Sequence, residues 1–338
     1  MNKYASRIYY LDLIRMFAIL IIVIYHFNCM IVDKNINAFH YFLYENDFIS
    51  WGVVGVKLFL MVSGAALMYH YHDDLKVNDF YKKRVKSIFP LFYLVYLLAF
   101  ISRYFVLHSP LPDIPAYRFI FTVLGLDGYL SQYTPMFNLV GDWFIGVILI
   151  YYGVFPLFRK LVLQYSKVVL SISLLCLIIS IYITPFHIEA STSILGNLFP
   201  FVFGMIFAYK KECIIQNKIF LMIFILFLLI NNKILISISL SIFIFLFLYW
   251  ISHKIKKHLI VYRISKYSYA MFLVHHILLS FVFTLLSGMT FSLFSITLLL
   301  VLCILIIIVI SRMVLYMNHL FTLGRNKLEF EIFRSNRK

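Results

Sequence analysis

The chain has 338 residues, 63% of them hydrophobic and 13% charged, with a mean hydropathy of +0.93. A soluble domain is nearer half apolar and a quarter charged, so a soluble globular protein is excluded and a polytopic membrane protein is predicted. The formal charge of +16 does not argue for nucleic acid, because the basic residues cluster between apolar runs, as in cytoplasmic loops beside anionic lipid.

The first apolar run, 9–31, follows Lys3 and Arg7 with no small-residue cleavage site, and reads as an uncleaved first span. It carries three polar groups: Asp12 and Arg15 within Leu11-Asp12-Leu13-Ile14-Arg15, then His26. At about 100° per residue, Arg15 and His26 project within roughly 20° of each other, about 16 Å apart along the axis. Asp12 lies within about 60° of Arg15 and about 40° of His26 on that wheel. An Arg inside a span costs about 2.5–3.5 kcal/mol on insertion scales, so it faces protein, a watery cavity or the interface. Asp12 and Arg15 snorkelling inward while His26 sits at the outer interface is one reading. The shared face favours another, a polar stripe with Arg15 and His26 in one water-accessible crevice.

The second run, 50–71, carries Lys57 and the small pair Ser63-Gly64, which suits either helix packing or the close approach of a ligand. Tyr81-Lys82-Lys83-Arg84-Val85-Lys86 follows and leads to Pro90 at the start of a third run, 87–108. Such a cluster is a positive-inside anchor or a phosphate-holding site. The segment 109–138, with Pro110, Pro112, Pro115 and an apolar patch at 119–126, is either a re-entrant lid lining a cavity or an interfacial loop. The fourth run, 139–158, opens with Gly141-Asp142-Trp143-Phe144, where Trp143 suits an interfacial belt and Asp142 could orient a histidine or a sugar hydroxyl.

Runs at 166–185 and 193–209 come next, and the stretch 219–251 divides at Asn231-Asn232-Lys233 because one helix of that length would tilt heavily. The run 265–287 holds His275-His276 near mid-membrane, facing a partner helix or a cavity. The last run is 291–316. The fold class is therefore all-α, a membrane bundle of about ten helices forming a single domain over 1–338. Both termini are expected in the cytoplasm, as a short segment 1–8 and a basic tail 317–338. Inner segments then hold Arg7, Lys83, Arg84, Arg159, Lys210 and Lys256 among many cations, and outer loops only Lys34, Arg118 and Lys233.

Cys29, Cys176, Cys213 and Cys303 are scattered, suggesting neither a disulfide framework nor a metal site. No Gly-rich phosphate loop, zinc-binding His-Glu-x-x-His or Gly-x-Ser-x-Gly elbow is present. Chemistry would have to be built from intramembrane Arg and His.

Taken together, these residues resemble the acyltransferase 3 family, integral membrane O-acyltransferases of surface polysaccharides. The resemblance rests on Tyr10-Leu11-Asp12, Arg15 and His26; on Ser63-Gly64; on Arg84 with Pro90; on Trp143-Phe144 with Tyr151-Tyr152 and Pro156; and on the stretch from Tyr269 to His276. The chain departs where Lys57 and Ile148 stand in place of acidic residues, and resembles the shorter members that lack a fused extracytoplasmic domain. The resemblance implies an inner-membrane O-acyltransferase, with acyl-CoA, most simply acetyl-CoA, as a cytoplasmic donor and no resident cofactor or metal. Arg84, Lys83 and Ser63 would lie near the donor, and Arg15 would hold its polar parts. His26 would be the base or acyl carrier, supported by Asp12, His275 or Asp142. Trp143 would lie beside a polysaccharide or lipid-linked sugar acceptor, the bilayer being the remaining partner. A transporter or flippase for a lipid-linked sugar, and a polysaccharide polymerase, are the rival readings.

Overall fold

The computed structural model describes residues 7–39, 44–46, 48–106, 113–216 and 232–335, with backbone alone at 142, 211–216 and 323–335. Every named element among these residues is helical. The long helices are α1 (Tyr9–Asp33), α2 (Trp51–Tyr71), α3 (Val77–Ile101), α6 (Asp142–Tyr182), α7 (Ile194–Gln216), α8 (Lys233–Ser252), α9 (Leu259–Leu285) and α10 (Leu293–Ser335). Short helices α4 (Phe119–Val123) and α5 (Asp127–Leu130) lie between α3 and α6. Seven of the helices are long and apolar enough to cross a membrane, which makes this a multi-pass membrane protein.

The break expected at Asn231–Lys233 is where α8 starts. The Asn232 side chain accepts from the backbone N–H of Ile234 at 3.0 Å and Leu235 at 3.2 Å, an N-cap that satisfies otherwise orphaned donors. The first half of that apolar stretch lies outside the described residues. The run at 193–209 appears as the shorter apolar helix Ile194–Lys210, bent at Lys210. The runs at 139–158 and 166–185 are joined in α6, whose 41 residues would span about 60 Å as one rod, twice a hydrocarbon core. Instead the backbone leaves helical geometry at Tyr165. Arg159 then donates to Tyr71 and His72 carbonyls at the end of α2, while Tyr151 donates to the Ile194 carbonyl at the start of α7. Past the break, Ser166 meets Lys210 and Ser180 meets Ser193. The second half therefore returns alongside α7.

These pairings fix direction. A Cβ on Gly52 would meet the Tyr25 ring and one on Gly55 would meet Ile22, so α1 and α2 are antiparallel. Lys57 reaches Asn197 while Met61 and Gly64 lie against Gly204 and Phe201, so α2 and α7 run parallel. Ser237 meets Ser50 and Ser241 meets Val54, which makes α8 parallel to α2. Tyr9 bonds at Lys256 and His258, and Phe27 packs edge to face on Phe283, so α9 runs with α1. Arg7, Arg159, Lys210 and Lys256 consequently gather at one end, the basic end, and Lys34 and Lys233 at the far end. The grouping is the one the charge pattern predicts.

Of the seven helices long enough to cross a membrane, α2 is the most enclosed, and α6 and α10 are the most peripheral. The enclosure depends on backbone approach at two glycines: a Cβ on Gly64 would sit 2.1 Å from the Phe201 carbonyl oxygen, and one on Gly204 1.9 Å from that of Met61. Small residues at such contacts let apolar helices pack closely without a hydrophobic driving force. In the segment 113–138, Asp127 is buried, accepting from Thr122 at 3.1 Å and the Gly128 N–H at 2.9 Å, while Phe119, Ile120 and Leu124 are exposed. Burial raises the pKa of its carboxyl.

The α2–α7 contact is expected to tolerate no side chain. Gly204→Ala should lower unfolding free energy in detergent by about 1–3 kcal/mol, read as a lower Tm. Gly153→Ala, where a Cβ meets nothing within 4 Å, should change it by less than about 0.5 kcal/mol.

Candidate active site

The polar stripe of α1 begins at a buried carboxylate. Asp12, 2% exposed, receives hydrogen bonds from Arg7 and from the Ser265 hydroxyl of α9, and holds the Arg15 guanidinium at 3.7 Å one turn along. Arg7 also lies 5.7 Å from the centre of the Tyr262 ring. An acid that meets two guanidiniums and a hydroxyl keeps charge tolerable in an apolar setting. Ser265 was not marked by the sequence, and its place one helix away leaves no local signal.

Arg15 lines a cavity of about 370 Å³ toward the basic end, with Ser63 and His70 of α2, Arg84 and Ser87 of α3, Tyr152 and Ile148 of α6, and Ser268 and Tyr269 of α9. The Arg84 guanidinium lies 5.7 Å from the Phe80 ring and 5.8 Å from the Tyr152 ring, and its Nε is buried without a hydrogen-bond partner. No described carboxylate lies within ion-pair distance of Arg84. Two guanidiniums facing one space, of which only Arg15 has a carboxylate nearby, can receive an anion. Of the Ser63-Gly64 pair, Ser63 faces this cavity and Gly64 packs on α7. Lys83 is exposed and does not line this cavity.

His26 lines a second cavity, about 710 Å³, toward the far end. Trp143 is part of its wall, together with Tyr25, Glu45, Glu189, Ser191, Thr192, Asn232 and Lys233. The His26 ring lies 5.0 Å from His275 and 5.3 Å from His276, centre to centre, so the late histidine pair meets the early histidine. The Nδ1 of His275 is 2.7 Å from the Phe272 carbonyl. A carbonyl only accepts, so Nδ1 carries the proton, and in the neutral ring Nε2 is then an acceptor. Asp142 opens α6, and its side chain lies outside the described residues.

The expected single crevice is two cavities. Arg15 and His26 do share a face, but three turns of helix leave room for side chains between them, and Phe144 and Phe272 line both spaces. The described residues of 113–138 line neither of these two cavities, although Gln132 accepts from Thr192 on the wall of the His26 cavity. The departures from the acidic pattern also resolve. Ile148 faces the Arg15 cavity. Lys57 is fully buried and donates to the Ser191 carbonyl at 3.0 Å and to the Asn197 side chain, tying α2 to the start of α7. The carboxylates on the His26 cavity are Glu45, ion-paired with Lys233, and Glu189, which accepts from Ser191 at 3.2 Å. Neither stands in a sequence pattern that would have marked it.

The model of a family described as acyltransferase domain matches residues 8–316, nearly the whole chain and every residue placed in these two cavities. No curated protein and no solved structure matches the chain.

If the Asp12 charge is what holds the two arginines, Asp12→Asn should cost about 3 kcal/mol of stability and Ser265→Ala only about 1 kcal/mol. Detergent unfolding of the two variants checks this, and equal losses would count against a charge-based hub.

Proposed function

The chain belongs to the acyltransferase 3 family, and from that premise we propose that it is an inner-membrane O-acyltransferase moving an acyl group, most simply acetyl, from cytoplasmic acyl-CoA to a hydroxyl of a polysaccharide or lipid-linked sugar at the outer face. The observation that carries the reading is the pair of cavities: a cationic one toward the basic end and a histidine-lined one toward the far end, with Phe144 and Phe272 common to both. Basic residues gather on the cytoplasmic side of membrane proteins, so the basic end is taken as cytoplasmic. Both termini would then be cytoplasmic, and the break at Tyr165 with the undescribed first half of 219–251 would complete ten crossings.

On this orientation Arg84 and Arg15 receive the donor's anionic groups, with Ser63 beside them and Lys83 steering donor from outside the cavity. The acceptor hydroxyl lies on the other side, near Trp143, whose indole gives a sugar ring a flat apolar face, and near Glu189 and Asn232, which match sugar hydroxyls as hydrogen-bond partners. His26 takes the hydroxyl proton as the oxygen attacks the thioester carbonyl. The new C–O bond forms, the C–S bond breaks, and the proton passes to the departing sulfur to give free CoA thiol. His275, with Nε2 as acceptor, orients or supports His26. A base and a donor site about 16 Å apart along one helix suit substrates that approach from opposite sides of a membrane.

Inverted vesicles given labelled acetyl-CoA test this. Wild type should label the glycan fraction, and His26→Ala should lower the rate about 10²-fold or more at equal expression. Arg15→Lys should also fail, because an ammonium cannot reproduce the guanidinium fork. Opposed cavities with a thin partition also suit alternating access. Absence of acetyl transfer together with passage of labelled lipid-linked sugar would establish the transporter reading instead.

A further inference from the structure

The wall between the two cavities is made of three phenylalanines from three helices: Phe59 of α2, Phe144 of α6 and Phe272 of α9. Their ring centres form a closed triangle, 5.0 Å between Phe144 and Phe272, 6.1 Å between Phe59 and Phe144, and 6.4 Å between Phe59 and Phe272. All three are less than 10% exposed. Phe144 and Phe272 line both spaces and Phe59 lines the Arg15 side, so the wall is about one ring thick. It is braced from the far side, where Trp143 lies 6.2 Å from Phe144 and His275 lies 5.6 Å from Phe272. The bond from His275 Nδ1 to the Phe272 carbonyl puts the partition and the histidine cluster on the same turn of α9.

A wall with no polar side chain opposes hydrated ions and phosphates, because neither finds a replacement for its water shell. It yields to a small apolar group by rotation of rings, of which Phe272 packs edge to face on both Phe59 and Phe144. We infer that Phe59, Phe144 and Phe272 form a partition crossed only by the acyl end of the thioester, and that their rings gauge the length of the acyl chain transferred. The inference rests on the acyltransferase reading above and adds to it the residues that set donor selectivity. The rings neither bond the reacting atoms nor carry protons. They seal the two solutions from each other and bound the space in which the thioester carbonyl meets the hydroxyl on the His26 side.

The test is a ratio. Inverted host membrane vesicles bearing the full chain are given labelled acetyl-CoA or butyryl-CoA, and label reaching glycan is counted. Wild type should favour acetyl, and equal use of both donors by wild type would overturn the gauge. Phe272→Ala and Phe144→Ala should raise the butyryl-to-acetyl ratio by about tenfold or more, the range over which apolar pockets discriminate methylenes. Phe272→Leu, which keeps apolar bulk in the core, should move it the same way by less. An unchanged ratio in any alanine variant that still transfers acetyl overturns the proposal. For a variant that transfers neither donor, the proton leak of proteoliposomes decides. A rate well above wild type, in protein that elutes as wild type does, supports the partition, and wild-type tightness overturns it. If wild type itself uses neither donor, the acyltransferase reading falls on that result alone, while the leak measurement still reads the wall.

Discussion

A guanidinium inside an apolar slab must be met by an acid, a dipole or water, and in this chain Arg15 is met by Asp12. Much of the architecture follows from that need. Asp12 is also bonded by Arg7 and by Ser265, which fastens the start of α9 to the start of α1. With the two helices running side by side in the same direction, His275 and His276 come against His26 further along. The hub at one end therefore helps set the register of the histidine cluster at the other. The remaining helices close round this pair: α2 packs on α7 through Gly64 and Gly204, and the first half of α6 brings Phe144 and Tyr152 into the space between.

The same economy of charge explains what the cavities contain. Arg84 is not paired with a described carboxylate; it lies against aromatic faces, which leaves its donors for an incoming anion. Lys57, fully buried, lines neither cavity and is spent on the carbonyl of Ser191 and the side chain of Asn197. The buried lysine is thus structural, while the two arginines face the smaller cavity. The difference lies in their partners, which residue type alone does not reveal.

Much of this was legible in the sequence, because it depends on local repeats and on charge. Most apolar runs correspond to described helices, the break at Asn232 was marked by its own capping residue, and the clustering of lysine and arginine matches the grouping of described helix ends. The angle between Arg15 and His26 was legible too, being a property of one helix. What lies between them was not. The wheel measures angle and rise, whereas the partition comes from three other helices: Phe144 and Phe272 stand in stretches that carry the resemblance, but nothing local shows that they meet each other and Phe59. Ser265 and Glu189 escaped for the same reason, since their partners are distant in sequence or in an irregular loop. The fold-back at Tyr165 was expected as a short basic loop, and the structure bends a nearly continuous helix there.

The central claim is that two polar cavities enter from opposite faces of the membrane and stop at a shared aromatic wall. Side-specific thiol labelling tests it most directly, with Ser63→Cys and Thr192→Cys placed singly in a chain otherwise free of cysteine and treated with a small, charged, membrane-impermeant methanethiosulfonate. The account predicts that Ser63→Cys reacts only from the cytoplasmic face and Thr192→Cys only from the outer face. Reaction of both from the same face would contradict it.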